Sequence, residues 1–254
     1  MDNTNKKKII FITQFALLLA LQAIFAFTPL GSLPIQPGMV ATLAMLPVII
    51  TAILLGTAAG TLMGFFFGLF SFMVWTFAPP SPLAFLFTPF YSIGGMGGNF
   101  WSLVICFVPR ILVGTVTGVL FSFFKRIFKG KKIFAVITYG VSAMMGSLTN
   151  TVLVVGGWFL FFHDSLTVRQ TAIAAARDDM GIAAPAAHIL ENYGSFAEFL
   201  AAHDISANVT FLNTLIVTTI TMNGIPEAIV SLIVGISVCA PLRAILIKQR
   251  LING

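Results

Sequence analysis

Long apolar runs, separated by short links that are either basic or rich in Gly and Pro, set the rhythm of this chain. A helix that crosses a bilayer needs about 20 mainly apolar residues, and six runs approach that length. They cover about Ile9–Phe27, Ala41–Leu55, Thr57–Phe77, Phe100–Phe124 and Ile133–Phe162, with a last run ending near Ile247. The pattern predicts an all-α integral membrane protein, a bundle of six transmembrane helices forming one membrane domain over residues 1–254. The second run is short, and only Gly56 turns it into the third. The stretch Phe211–Ile247 is too long for one ordinary span, and Gly224 and Pro226 are expected to divide it. Proline is tolerated in a first helical turn, where its missing N–H would be unpaired anyway. The final helix is therefore expected from near Ile225, with Phe211–Met222 a separate half-helix or re-entrant piece.

Composition agrees with the pattern. Hydrophobic residues make up 58% of the chain and charged residues 9%, against about 25% charged in soluble domains. The net charge of +6 changes the picture through its placement. Lys6–Lys8, then Lys125, Arg126, Lys129, Lys131 and Lys132, then Arg243, Lys248 and Arg250 all fall on one side of a six-span chain. Positive links stay cytoplasmic, so both termini are expected inside the cell membrane. The charge is thus read as topology and not as nucleic-acid binding. The apolar run after Lys8 is longer than the core of a secretory signal, and it is read as a retained helix. Cys106 and Cys239 fall within spans, as buried thiols and not as a disulfide or metal pair.

Three outer links carry the elaborate surface. Thr28–Val40 and Ala78–Asn99 are rich in Gly and Pro, and His163–Asn208 is hydrophilic. The last is expected to form an extracellular loop insertion over 163–208, between helices five and six, with helical character around Val168–Met180 and Phe196–His203. Loops of such length are usually functional or disordered.

Polar side chains within the spans mark the candidate site. Arg110 and Glu227 sit in otherwise apolar runs, where an ionisable group costs several kcal/mol unless paired or wetted. Counted from the basic anchors at about 1.5 Å per residue, both lie roughly 22–24 Å up, and Asn150 and Gln22 roughly 21–27 Å. Four segments thus place polar groups at similar heights. Below them the helices read as almost wholly apolar, which suggests a pocket opening outward and not a continuous pore. Arg110 and Glu227 could equally neutralise one another as a buried pair, and such a pair could form a pocket wall. Asn150 alone would serve as an interhelical hydrogen-bonder, and Asn99 and Asn223 could be turn residues beside Gly. Trp75, Tyr91, Trp101 and Trp158 lie near span ends; for Trp158 an interfacial belt is the expected role.

Small residues give a second signal. Gly56, Gly60, Gly64 and Gly68 recur every fourth position, as do Gly114 and Gly118, and Ala16 and Ala20. Such faces let helices approach closely in lipid. The glycines are read as internal packing, whereas Ala16 and Ala20 could face another protein. There is no phosphate-binding loop, no His-Glu-x-x-His and no Gly-x-Ser-x-Gly, and His163, His188 and His203 lack ligand spacing. Nothing points to an enzyme, a cofactor or a metal.

Four stretches carry a family resemblance. They are Leu46-Pro47-Val48-Ile49 running into Leu55-Gly56 and the glycine ladder, and Pro109-Arg110-Ile111-Leu112-Val113-Gly114 with Gly118. Thr149-Asn150-Thr151-Val152-Leu153 and Asn223-Gly224-Ile225-Pro226-Glu227-Ala228-Ile229 complete the set. The chain resembles the substrate-binding (S) component of an energy-coupling factor vitamin importer, in the branch with the pantothenate-type components. The resemblance implies a six-helix bundle that takes a vitamin from outside, with Thr28–Val40, Ala78–Asn99 and His163–Asn208 as lids. Candidate substrate contacts are then Gln22, Asn99, Arg110, Asn150, Asn223 and Glu227. It also implies a transmembrane coupling protein, met through Ala16 and Ala20, and two cytoplasmic ATPases. Pantothenate leads as cargo, ahead of riboflavin, folate, cobalamin or a queuosine precursor. The alternative class is a self-sufficient secondary transporter with Glu227 coupling protons, although no clear inverted repeat supports it. The outer link His163–Asn208 is longer than the family pattern.

Overall fold

The first apolar run forms α1 (Asn3–Phe27), which extends back through the three lysines. The link after it folds into an antiparallel hairpin of β1 (Ser32–Gln36) and β2 (Met39–Thr42), with Ser32 opposite Thr42. A 3₁₀ turn over Leu43–Met45 enters α2 (Leu46–Leu55), with Pro47 in its first turn. Gly56, at φ 100°, reverses the chain in one residue into α3 (Thr57–Phe77), a conformation that only glycine adopts freely. A 3₁₀ turn over Pro82–Leu86 and a small hairpin of β3 (Ser92–Ile93) and β4 (Met96–Gly97) lead to α4 (Phe100–Ile127). Then come α5 (Lys132–Asp179) and a last helical span, α6 (Ile216–Lys248). The structure, a computed structural model, describes residues 3–28, 31–36, 39–80, 82–93, 96–128, 132–179 and 216–248.

Among the described residues, 5 helices are long and apolar enough to cross a membrane, and Leu43–Leu55 is a shorter apolar helix. The architecture is an all-α membrane bundle with two small hairpins in its links. The short second element differs from a span in kind. Ten residues of α-helix rise only about 15 Å, half the hydrocarbon thickness. Every residue from Leu46 to Leu54 is buried, so α2 is the core around which α1, α3, α4 and the end of α6 pack. Non-helical backbone can enter at membrane depth because protein surrounds it.

Glycines set the α3–α4 spacing. A Cβ added at Gly64 would strike the Arg110 carbonyl, one at Gly114 would strike the Gly60 carbonyl, and one at Gly118 would come within 2.6 Å of the Thr57 Cα. The ladder is internal packing, as the small-residue spacing suggested. Ala16 and Ala20 differ, since both are exposed on α1, beside the exposed Ile12, Leu17 and Ile24.

One expectation needs correction. Gly224 and Pro226 do not divide the last run. Within α6 the stretch Thr219–Gly224 widens to π-helical spacing, with the Ile225 N–H bonded back to Ile220, and the helix continues through Pro226. A wider turn accommodates a residue that has no N–H to give. Residues 211–215 of the expected half-helix lie outside the described ones. The link 163–208 opens as helix, in keeping with the helical character expected around Val168–Met180, because α5 runs on to Asp179. Phe196–His203 and the rest of that link lie outside the described residues.

Arg243, counted among the cytoplasmic anchors, is also more than an anchor. It is 8% exposed, its guanidinium donates to the Ile53 carbonyl, and it sits 5.0 Å above the Phe121 ring. Ile53 lies in the last turn of α2, where carbonyls lack helical partners, so Arg243 closes that helix end from a distant part of the chain.

Candidate functional site

Pro109 and Arg110 act as a unit. Proline inside α4 removes the N–H that would bond to the Ile105 carbonyl one turn earlier. The Arg110 Nη1 donates to that same carbonyl at 2.9 Å. The bond aims the side chain toward the start of α4 and holds it in the protein interior, where the residue is 7% exposed. Its guanidinium carbon lies 5.8 Å from the Phe67 ring centre and 5.0 Å from that of Phe87. Phe67 belongs to the core cluster built on α2, and Phe87 to a second cluster with Phe85, Leu86, Ile105, Val154, Trp158 and Phe162. Arg110 therefore occupies the seam between two apolar cores. Its Nε has no hydrogen-bond partner.

Glu227, 6% exposed on α6, is one of the charges that acts on the Arg110 guanidinium. The two intramembrane charges thus lie close enough to feel one another's field. Asn150 and Asn223 lie beside a close approach of α5 and α6, where a Cβ at Gly224 would come within 2.6 Å of Thr151. Asn223 is part of the π-helical stretch, and both asparagines hold an Oδ1 with no partner. Glu227 follows one turn farther along α6. The polar layer is then about one helical turn deep, roughly 6 Å.

The remaining candidates fall differently. Gln22 is fully buried with neither amide atom partnered, on a helix that packs chiefly against α2 and α3. Asn99 is exposed and caps α4: its Oδ1 accepts the Trp101 N–H at 2.8 Å, while Ser102 Oγ accepts the Asn99 N–H at 3.0 Å. Ser102 Oγ also donates to the Phe85 carbonyl at 2.7 Å, which ties the 3₁₀ turn to the start of α4. The structure does not bring Asn99 into the polar layer.

Sequence reasoning missed the aromatic wall. Trp158 is not an interfacial residue. It is 5% exposed, meets the Phe87 ring edge-on at 6.0 Å, and its Nε1 has no partner. Phe87 stacks on Trp75 at 4.6 Å. The turn Pro82–Leu86 carries Phe87 inward, and a Pro-rich link gave no sign of that. The apolar floor needs correction too. Thr117, Ser142, Ser147 and Ser231 are buried in the lower bundle, with hydroxyls that lack partners. Cys106 and Cys239 are buried free thiols, as expected.

A buried site with one cation, one carboxylate and several unused donors and acceptors suits a small polar ligand. Polar groups that find no protein partner are expected to meet water or ligand. Comparisons with known proteins agree in kind. Residues 10–239 match the model of the family described as ECF transporter, substrate-specific component. The chain is 41% identical over 134 residues, 52% of its length, to a protein of Lactococcus lactis subsp. cremoris named pantothenic acid transporter PanT, and the match spans 61% of that relative. It is 32% identical over 161 residues, 61% of its length, to the pantothenate transporter PanT of Leuconostoc mesenteroides subsp. mesenteroides, covering 69% of that protein.

Proposed function

Because the chain belongs to the family of ECF transporter substrate-specific components, we propose that it captures pantothenate at the polar layer between α4, α5 and α6. The observation that carries this reading is the set of buried, unpartnered polar atoms around Arg110, at Asn150 and at Asn223. Pantothenate offers one carboxylate, one amide and two hydroxyls. Arg110 Nε is a charged donor suited to a carboxylate, and the two asparagine Oδ1 atoms are acceptors suited to hydroxyls. The names of the two relatives support the same cargo.

The chain binds from outside and depends on a transmembrane coupling protein and two cytoplasmic ATPases for the inward step. Ala16 and Ala20 meet the coupling protein. Their exposure on α1, which has few buried positions, supports that role. Both termini lie in the cytoplasm, a reading that the basic links support.

The test is titration of the purified chain, in detergent and freed of co-purified ligand, with pantothenate and a panel of other vitamins. Ligand that binds only the folded state adds about 2.7 kcal/mol of apparent stability at a hundredfold excess over Kd. A large upward shift in the thermal midpoint with pantothenate alone is expected. A shift with riboflavin or folate instead would reassign the cargo. Uptake by the chain expressed without ATPases would favour the proton-coupled transporter.

A further inference from the structure

Two buried N–H donors stand idle beside one aromatic ring. Arg110 Nε and Trp158 Nε1 both lack partners, and both side chains border Phe87, at 5.0 Å and 6.0 Å. A second link joins them through Ile105. Its carbonyl receives Arg110 Nη1 at 2.9 Å, and its side chain lies within 2.7 Å of a Cβ placed at Gly157, the neighbour of Trp158. A buried tryptophan usually finds a partner for its N–H, and an unmet donor in the interior destabilises the fold. A ligand group that meets both donors needs two acceptor sites. A carboxylate accepts through two oxygens with about four lone-pair sites, whereas an alcohol at the same place offers a single oxygen.

We infer that Trp158 is a specificity-determining residue, donating its indole N–H to the ligand carboxylate beside the Arg110 guanidinium. This rests on the reading of the site as one for a carboxylate-bearing vitamin. Phe87 is the ring that both side chains border, and Trp75, stacked on it at 4.6 Å, holds that ring in place. The pair disfavours neutral analogues, because an uncharged hydroxyl bonds a guanidinium more weakly than a carboxylate does and brings one oxygen where the carboxylate brings two.

The experiment is a cycle between protein and ligand. Wild type and Trp158→Phe are titrated by calorimetry with pantothenate and with pantothenol, in which an alcohol replaces the carboxylate. Phenylalanine keeps a ring against Phe87 and removes the N–H. The expected result is a loss of about tenfold in pantothenate affinity and less than about threefold for pantothenol, with the ligand-free thermal midpoint nearly unchanged. Equal losses for both ligands, or none for pantothenate, overturn the assignment. If the wild type binds neither ligand, the cargo reading has failed and the inference falls with it. Should Trp158→Phe not fold, wild type labelled with ¹⁵N at its 3 tryptophans gives a second readout. One indole N–H resonance should move downfield with pantothenate and not with pantothenol; three unmoved resonances overturn the assignment.

Discussion

Proline at 109 leaves the Ile105 carbonyl without its helical donor, and arginine at 110 supplies one from its side chain. The pairing can be separated from ligand binding by substitution. Arg110→Met orphans a buried carbonyl, which costs about 1–3 kcal/mol, and removes the cation as well. Adding Pro109→Ala returns a backbone N–H to Ile105. The double variant is expected to recover the thermal midpoint lost by Arg110→Met while still failing to bind pantothenate; recovery of both, or of neither, would refute the division of roles. Glu227→Gln and Asn150→Ala test the other walls. Each is expected to weaken binding about tenfold with normal yield and midpoint, and a loss of folded protein in both would make them packing residues. Arg110 and Glu227 were legible in the sequence because a charge among apolar residues needs no context to stand out. Trp158 and Phe87 were not. Aromatic residues gather at span ends for interfacial reasons, so their burial here is decided by a turn, Pro82–Leu86, that folds back over α4.

At the scale of elements, the α3–α4 contact fixes where Arg110 sits, because Gly64 lies against its backbone carbonyl. A methyl group there meets main chain, which cannot rotate away. Gly64→Ala is therefore expected to destabilise the purified chain by about 1–3 kcal/mol, read as a lower thermal midpoint, and to weaken binding with it. Gly156→Ala is the matched control. It has nothing within 4 Å of an added Cβ, and alanine favours a helix by up to about 1 kcal/mol, so its midpoint should hold or rise. Equal destabilisation of the two would remove the backbone-contact argument. The extents of α3 and α4 were legible to within a few residues, since apolar runs with clear breaks at Gly56 and Asn99 leave little freedom. The last span was not. Gly224 and Pro226 resemble a break, and only packing against α5 and β2 keeps the helix continuous through a π-helical stretch. That stretch carries Asn223, so the irregularity that misled the sequence reading lies in the polar layer itself.

For the whole molecule the decisive asymmetry is between a packed bundle and its loosely attached first helix. The spans α4 and α5 bury 44% of their apolar windows, and α1 buries 6%. Its Ala16 and Ala20 lie on the exposed side, while the half-buried Phe15 meets Phe66 at 6.4 Å and Phe27, itself exposed, meets Phe70 at 5.3 Å. Aromatic anchoring on one face leaves the small-residue face open, and small residues permit close helix contact in lipid where bulk would prevent it. The polar layer is formed mainly by α4, α5 and α6, away from that face. Capture and delivery should then be separable by mutation. Ala16→Trp is expected to leave pantothenate affinity of the isolated chain within about twofold, since none of the proposed binding groups lies on that face. In cells that supply the coupling protein and ATPases, the same substitution should abolish uptake of labelled pantothenate. Loss of binding in the isolated variant would place α1 in the site. Normal uptake would mean that the coupling protein docks on another face, with the exposed glycine-free sides of α4 and α6 next to be scanned.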